Sequence, residues 1–138
     1  MKGVVAIDPG RTIGVSWVTE DGRFISSQIT DDPQTVIQIM EGPNAPSIIA
    51  VVIEDYIGAG FRDSDSVYTI KLIGFLYGFS RWRGYKTVMQ FPQERKSFLA
   101  EALQKLEDTD LKGVTPHHID SLAHALRYLH DHRKRESA

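Results

Sequence analysis

The chain contains no cysteine. Disulfides, thiolate zinc sites and cysteine nucleophiles are thereby excluded. No stretch approaches the ~20 consecutive apolar residues that a membrane span requires. The chain enters an apolar run almost at once and shows no signal-peptide pattern, so the expected compartment is cytoplasmic. Internal repeats, low-complexity tracts and linkers are also missing. Residues 1–138 are therefore expected to form a single domain, with a frayed basic tail at about 133–138. What is present is ordinary for a globular chain: 41% hydrophobic and 25% charged residues, enough at this length to bury a core.

The formal net charge is only −2, but it is unevenly spread. Residues 1–60 carry a net of −5, residues 61–100 a net of +4 and residues 101–138 a net of −1. The basic middle segment holds Arg62, Lys71, Arg81, Arg83, Lys86, Arg95 and Lys96. Such a segment suits a polyanionic partner, although a solvated basic face has the same composition.

Two β-branched runs, 4–7 and 13–18, flank Asp8-Pro9-Gly10 and predict an antiparallel pair joined by a short turn. Residues 23–29 alternate like a third strand, completing a meander. Asp31, Asp32 and Pro33 open a short helix carrying Val36, Ile37, Ile39 and Met40. Residues 47–53 form a near-continuous apolar run, the pattern of a central strand buried on both faces. A glycine-containing loop spans 56–62, and Asp63 or Ser64 caps a long helix to about Arg83. Residues 86–91 predict a further short strand, and Pro92 starts a helix to about Leu106. After a polar loop at 107–113, Thr115 and Pro116 start the last helix. The order predicts an α/β fold: a mixed five-stranded sheet, an antiparallel meander plus parallel strands, flanked by helices on both faces.

The chemistry gathers at element ends. Asp8 and Glu54 each terminate an apolar strand, and the first and fourth strands are natural parallel neighbours. Two carboxylates side by side at that edge repel each other, and a divalent cation resolves the repulsion. On the last helix, Ile119, Leu122, Leu126 and Leu129 form the core stripe, with Asp120 at its flank. His117 and His124 share the Asp120 side of the helix, whereas His118 points elsewhere. His117 projects away from the core stripe, so it serves the site only if the first helical turn overhangs the strand ends. Each acid alone has an ordinary reading, as a dipole partner or a strand-end residue. Their conjunction on three separate elements points to a metal site.

Four segments resemble the RuvC family of Holliday-junction resolvases, within the RNase H-like nucleases. They are AIDPGRTIGVSWV, VVIEDY, FPQERKSF and HHIDSLAHALRYL, in the family's order and covering nearly the whole chain. The resemblance implies an RNase H-like fold and a structure-selective crossover junction endodeoxyribonuclease of DNA recombination and repair. Asp8, Glu54, His117 and Asp120 would hold two Mg²⁺ ions, for which Mn²⁺ would substitute, with Asp8 bridging and His117 either a ligand or a proton shuttle. Two-metal hydrolysis would leave a 5′ phosphate. Branched DNA is the implied partner, contacted through Tyr56, Phe61, Arg62, Arg81, Arg83, Lys86, Arg95 and Lys96, with an aromatic of the loop after Glu54 stacking on an unpaired base. A four-way junction has two scissile strands, which suits a homodimer. Gly74 and Gly78, four apart in the long helix, mark a face for close approach and a candidate dimer interface. The compact chain and the early Glu54 resemble phage-encoded members, which implies a broader range of branched DNA and a bacterial or phage-infected cytoplasm.

Three other readings compete. YqgF-like nucleases that process ribosomal RNA precursors share the length and the Asp-Gly opening, but VVIEDY and the His-x-x-Asp start of the last helix fit RuvC better. A junction-binding protein without cleavage has no need of clustered carboxylates that repel phosphate. An actin-like nucleotide binder uses a similar Asp-x-Gly turn, yet the chain lacks a second phosphate loop and the length for two lobes.

Overall fold

A computed structural model describes residues 2–43, 45, 47–56 and 63–137. Its elements are β1 (Lys2–Asp8), β2 (Ile13–Thr19), β3 (Phe24–Thr30), α1 (Pro33–Glu41), β4 (Ser47–Glu54), α2 (Ser64–Trp82), β5 (Thr87–Gln90), a 3-10 segment (Pro92–Phe98), α3 (Leu99–Glu107) and α4 (Pro116–Ser137). The sheet order is β3-β2-β1-β4-β5. β1, β2 and β3 pair antiparallel as the expected meander, and β4 and β5 add parallel strands beside β1.

Alternation along the strands divides the core in two. Val4, Ala6, Ala50 and Val52 face α3 and α4, packing on Ala102, Leu106, Leu122, Ala125 and Leu129. Val5, Ile7, Val51 and Ile53 face the other way, onto Val36 and Met40 of α1 and Leu72, Ile73 and Leu76 of α2. β1 and β4 are buried on both faces, which is why they read as unbroken apolar runs. The same alternation positions the site. Asp8 shares the parity of Val4 and Ala6, and Glu54 that of Ala50 and Val52, so both carboxylates project toward the α4 face.

Local signals set the helix starts. Asp32 accepts from the Gln34 N–H at 2.9 Å with Pro33 in the first turn, and Asp63 accepts from the Ser66 N–H at 2.7 Å. One sequence expectation differs. The helix expected from Pro92 to about Leu106 is two pieces, a 3-10 segment and then α3. Glu94 folds back to accept from the Phe91 N–H at 2.6 Å, and Pro92 contributes no N–H to the first turn. α4 continues through Ser137. Pairs four residues apart, Arg127 with Asp131 and His132 with Glu136, lie along this stretch of the helix. Among the described residues, no helix is long and apolar enough to cross a membrane.

Candidate active site

Ile7 and Ile53 are register partners in the parallel pair β1 and β4, so the residues that follow them, Asp8 and Glu54, stand side by side at the sheet's edge. α4 crosses above them. It is pinned by a buried hydroxyl chain, in which Ser16 Oγ on β2 lies 2.8 Å from Ser27 Oγ on β3 and 2.7 Å from Ser121 Oγ on α4. Ser121 follows Asp120, so this chain sets where Asp120 sits along the sheet.

Gly14 decides how close the helix comes. It is the register partner of Asp8 in β2, and a Cβ built on it would collide with the carbonyl of His117. The first turn of α4 therefore rests on bare backbone beside Asp8, and it overhangs the strand ends as the spacing required. His117 Nδ1 lies 3.2 Å from Asp8 Oδ2, and the histidine side chain keeps 42% exposure, open to the solvent side of the site. His118 has a different task. Its Nδ1 accepts from the Thr115 N–H at 3.0 Å while its own N–H donates to the Thr115 carbonyl, closing the start of α4. Burial, then the neighbouring His117, lowers the His118 pKa from its ordinary value.

Glu54 and Asp120 are held by an arginine and a buried histidine. Glu54 Oε1 accepts from His124 Nε2 at 2.9 Å and from Arg95 Nη1 at 3.0 Å. His124 is fully buried, and its Nδ1 lies 2.6 Å from Gln90 Oε1 at the end of β5. Arg95, on the 3-10 segment, also places Nε 3.1 Å from Asp120 Oδ1, and Nη1 donates to the Pro92 carbonyl at 2.7 Å. The Nε contact is electrostatic only, since that N–H has no aligned hydrogen-bond partner among the described residues.

The charge balance shows in the titration of the acids. Burial, then the charge and hydrogen bond of Glu54, and then Asp120 push the Asp8 pKa up to about 9, against a smaller opposing pull from Arg95. Burial also presses Glu54 upward, but hydrogen bonds from His124 and Asp8 and the charges of His124 and Arg95 outweigh it, and Glu54 lies below its ordinary value. Burial and the neighbouring acids thus disfavour the charged form of Asp8, while His124 and Arg95 favour that of Glu54. The donor set is three hard carboxylates and one imidazole, which fits a divalent oxygen-seeking cation such as Mg²⁺. A site that raises the pKa of its first acid and draws in a guanidinium is a site with surplus negative charge. As they stand, no three acid or histidine side chains among the described residues form a finished ligand cage.

No family model matches the chain, and no curated protein matches it by sequence. Solved structures do. A RuvC from T. thermophilus, seen in complex with a Holliday junction substrate, superposes with a TM-score of 0.73 at 18% identity, covering 97% of this chain and 96% of that one. A second Thermus thermophilus RuvC structure gives a TM-score of 0.69 at 17% identity, covering 96% of each chain. The fold is that of RuvC. Its RNase H-like sheet is the five-stranded mixed sheet expected from the sequence, and the superposition covers nearly all of both chains.

Within this RuvC fold the expected DNA-contact residues fall into separate places. Phe61 and Arg62 lie outside the described residues. Tyr56 is half-buried, its hydroxyl 2.7 Å from Ser66 Oγ at the start of α2. Arg95 is no free surface cation, because it is engaged with Glu54 and Asp120. Lys96, beside it, is exposed. Arg81, Arg83 and Lys86 sit where α2 ends and β5 begins, the opposite end of β5 from Gln90 and the acids. Arg83 there pairs with Glu41, and Lys86 lies 5.6 Å from the Tyr128 ring. Sequence reasoning missed three positioning groups. His124 was visible only as a histidine on the Asp120 side, Gly14 as one more turn-proximal glycine, and Gln90 as a polar residue closing a short strand.

Proposed function

We propose that the chain is a metal-dependent, structure-selective endodeoxyribonuclease that resolves four-way junctions by paired nicks and also cuts other branched DNA. The observation that carries this reading is the convergence of Asp8, Glu54 and Asp120, with His117 above them, at the carboxyl ends of two parallel strands. The likeness to a RuvC that is seen with a Holliday junction substrate supports it.

Asp8, Glu54, Asp120 and His117 would hold two Mg²⁺ ions, which when bound supply an activated water and stabilise the leaving 3′ oxygen. Asp8 must give up its held proton before both of its oxygens can serve as ligands. Glu54 is held in place at Oε1 by the buried His124. His117, exposed on the solvent side, is placed to orient water or pass a proton to and from it. The product would carry a 5′ phosphate. Lys96, together with Tyr56, Phe61 and Arg62 of the loop after Glu54, would contact DNA near the reacting strand. Arg81, Arg83 and Lys86 would serve phosphates of a more distant arm.

Two active sites are needed to nick opposite strands, and α2 offers a face to join them. Among the described residues, Gly74 and Gly78 meet nothing on their outer side, and Phe75, Tyr77 and Trp82 beside them are exposed, Trp82 by 78%. An apolar face of this kind on a helix suits a homodimer.

The test is a substrate panel with Mg²⁺: a four-way junction, a flap, linear duplex and a structured ribosomal RNA precursor. Preferential nicking of the branched DNAs supports the reading. Cleavage of the RNA alone would favour a YqgF-like nuclease, and junction binding without cleavage a pure binding protein.

A further inference from the structure

We infer that Arg95 is a displaceable internal counter-ion, which occupies the acid cluster in competition with the divalent cation and must leave it as the cation enters. The inference rests on the metal-site reading of Asp8, Glu54 and Asp120 and adds a regulating residue to it.

The geometry makes the competition direct. Arg95 reaches two of the three acids at once, with Nη1 3.0 Å from Glu54 Oε1 and Nε 3.1 Å from Asp120 Oδ1. These acids come from β4 and α4, and a cation shared between them would sit where the guanidinium now lies. A guanidinium and a divalent ion cannot both neutralise the same carboxylates at contact distance, since each repels the other in a partly dry site.

The grip on Arg95 is also built to release. Its contact with Asp120 lacks hydrogen-bond alignment, so Nε gains charge attraction there without a full hydrogen bond. The side chain is 24% exposed rather than sealed. It is carried by the short 3-10 segment Pro92–Phe98, none of whose residues is buried, instead of by a core strand or helix. Glu54, by contrast, keeps its other partner when Arg95 departs, because His124 is fully buried and fixed between Gln90 and Glu54. Release of Arg95 therefore frees ligand oxygens without freeing the Glu54 side chain.

Calorimetric titration of Mn²⁺ into the EDTA-treated, dialysed full chain, without DNA, tests this. Arg95→Met removes the charge and keeps most of the side-chain length. It should bind Mn²⁺ about tenfold more tightly than the wild type, an ordinary size for competition between two coupled species. Arg95→Lys, which keeps a cation beside the acids, should gain less. Because Arg95→Met could lose folding stability, the wild type gives a second measurement. The Arg95 side-chain Nε–H resonance should move with the same saturation curve as Mn²⁺, or as diamagnetic Mg²⁺ in its place. Wild-type binding with an unchanged or weaker Arg95→Met affinity, or an Arg95 resonance indifferent to Mg²⁺, would overturn the inference and leave the nuclease reading standing. Absence of divalent binding by the wild type would overturn both.

Discussion

Asp8 and Glu54 stand side by side at the ends of the parallel pair β1 and β4, each one residue beyond the register partners Ile7 and Ile53. Both strand ends point to the same helix, and burial with the neighbouring acids raises the Asp8 pKa. Asp8 holds its proton to about pH 9 in the folded chain, against an ordinary value of 3.8. The folded state thus binds more protons than the unfolded state across this window, and stability falls as pH rises through it. Glu54 shifts the other way and contributes stability that is lost as pH falls below its ordinary range. Between about pH 5 and about pH 9 the Asp8 effect governs, and the melting temperature of the EDTA-treated protein should decline. Asp8→Asn, whose amide mimics the protonated acid, should flatten that decline and raise the melting temperature by roughly 5 °C near pH 8. Parallel pH profiles for wild type and Asp8→Asn would contradict the raised Asp8 pKa.

Gly14 and His117 meet backbone to side of backbone, so Gly14→Ala forces α4 away from β2 at the point where it overhangs Asp8. The expected cost is about 1–3 kcal/mol of stability by urea denaturation, the usual range for overpacking. Nicking should fall further than stability explains, because His117 moves with the helix. A variant that remains folded and fully active would show that His117 is dispensable.

His124 links Glu54 to Gln90 inside the core. His124→Leu fills the space but strands two buried polar groups, at about 1–3 kcal/mol each. His124→Gln, which can still donate to Glu54, should recover part of this loss. Divalent affinity should follow the same order, wild type above Gln above Leu, when read by calorimetry. Equal affinities in all three would mean that His124 only packs.

The outer face of α2 separates monomer stability from assembly. A methyl group at Gly74 or Gly78 meets no atom within 4 Å among the described residues, and Ala is favoured over Gly in a helix interior by about 1 kcal/mol. Gly74→Ala with Gly78→Ala should therefore stabilise the monomer yet weaken a dimer formed through this face. Trp82→Glu should weaken it more strongly. Sedimentation of the wild type as a monomer at high micromolar concentration would remove this interface from the proposal.

Much of this arrangement is legible in the chain because the governing patterns are local. Two apolar runs ending in acids predict buried parallel strands with carboxylates at one edge, and Ile119, Leu122, Leu126 and Leu129 predict which side of α4 meets the sheet. Helical spacing favours His117 over His118 as the companion of Asp120, whereas the contact in the structure is to Asp8. What stays hidden depends on distance between elements. Arg95 reads as one more basic residue of the net +4 segment until the 3-10 turn at Pro92 aims it inward at Glu54 and Asp120. The necessity of Gly14 appears only once α4 is laid across β2. His124 looks like a surface histidine because its partners, Glu54 and Gln90, come from β4 and β5.

The central claim is that Asp8 anchors metal-dependent cleavage of branched DNA. The direct measurement is single-turnover nicking of an end-labelled four-way junction with Mg²⁺, comparing the wild type with Asp8→Asn at matched junction occupancy. The expected result is paired nicks leaving 5′ phosphates in the wild type, with cleavage by Asp8→Asn lower by several orders of magnitude and junction binding retained. Cleavage by Asp8→Asn at the wild-type rate, or wild-type cutting of linear duplex as readily as of the junction, would contradict it.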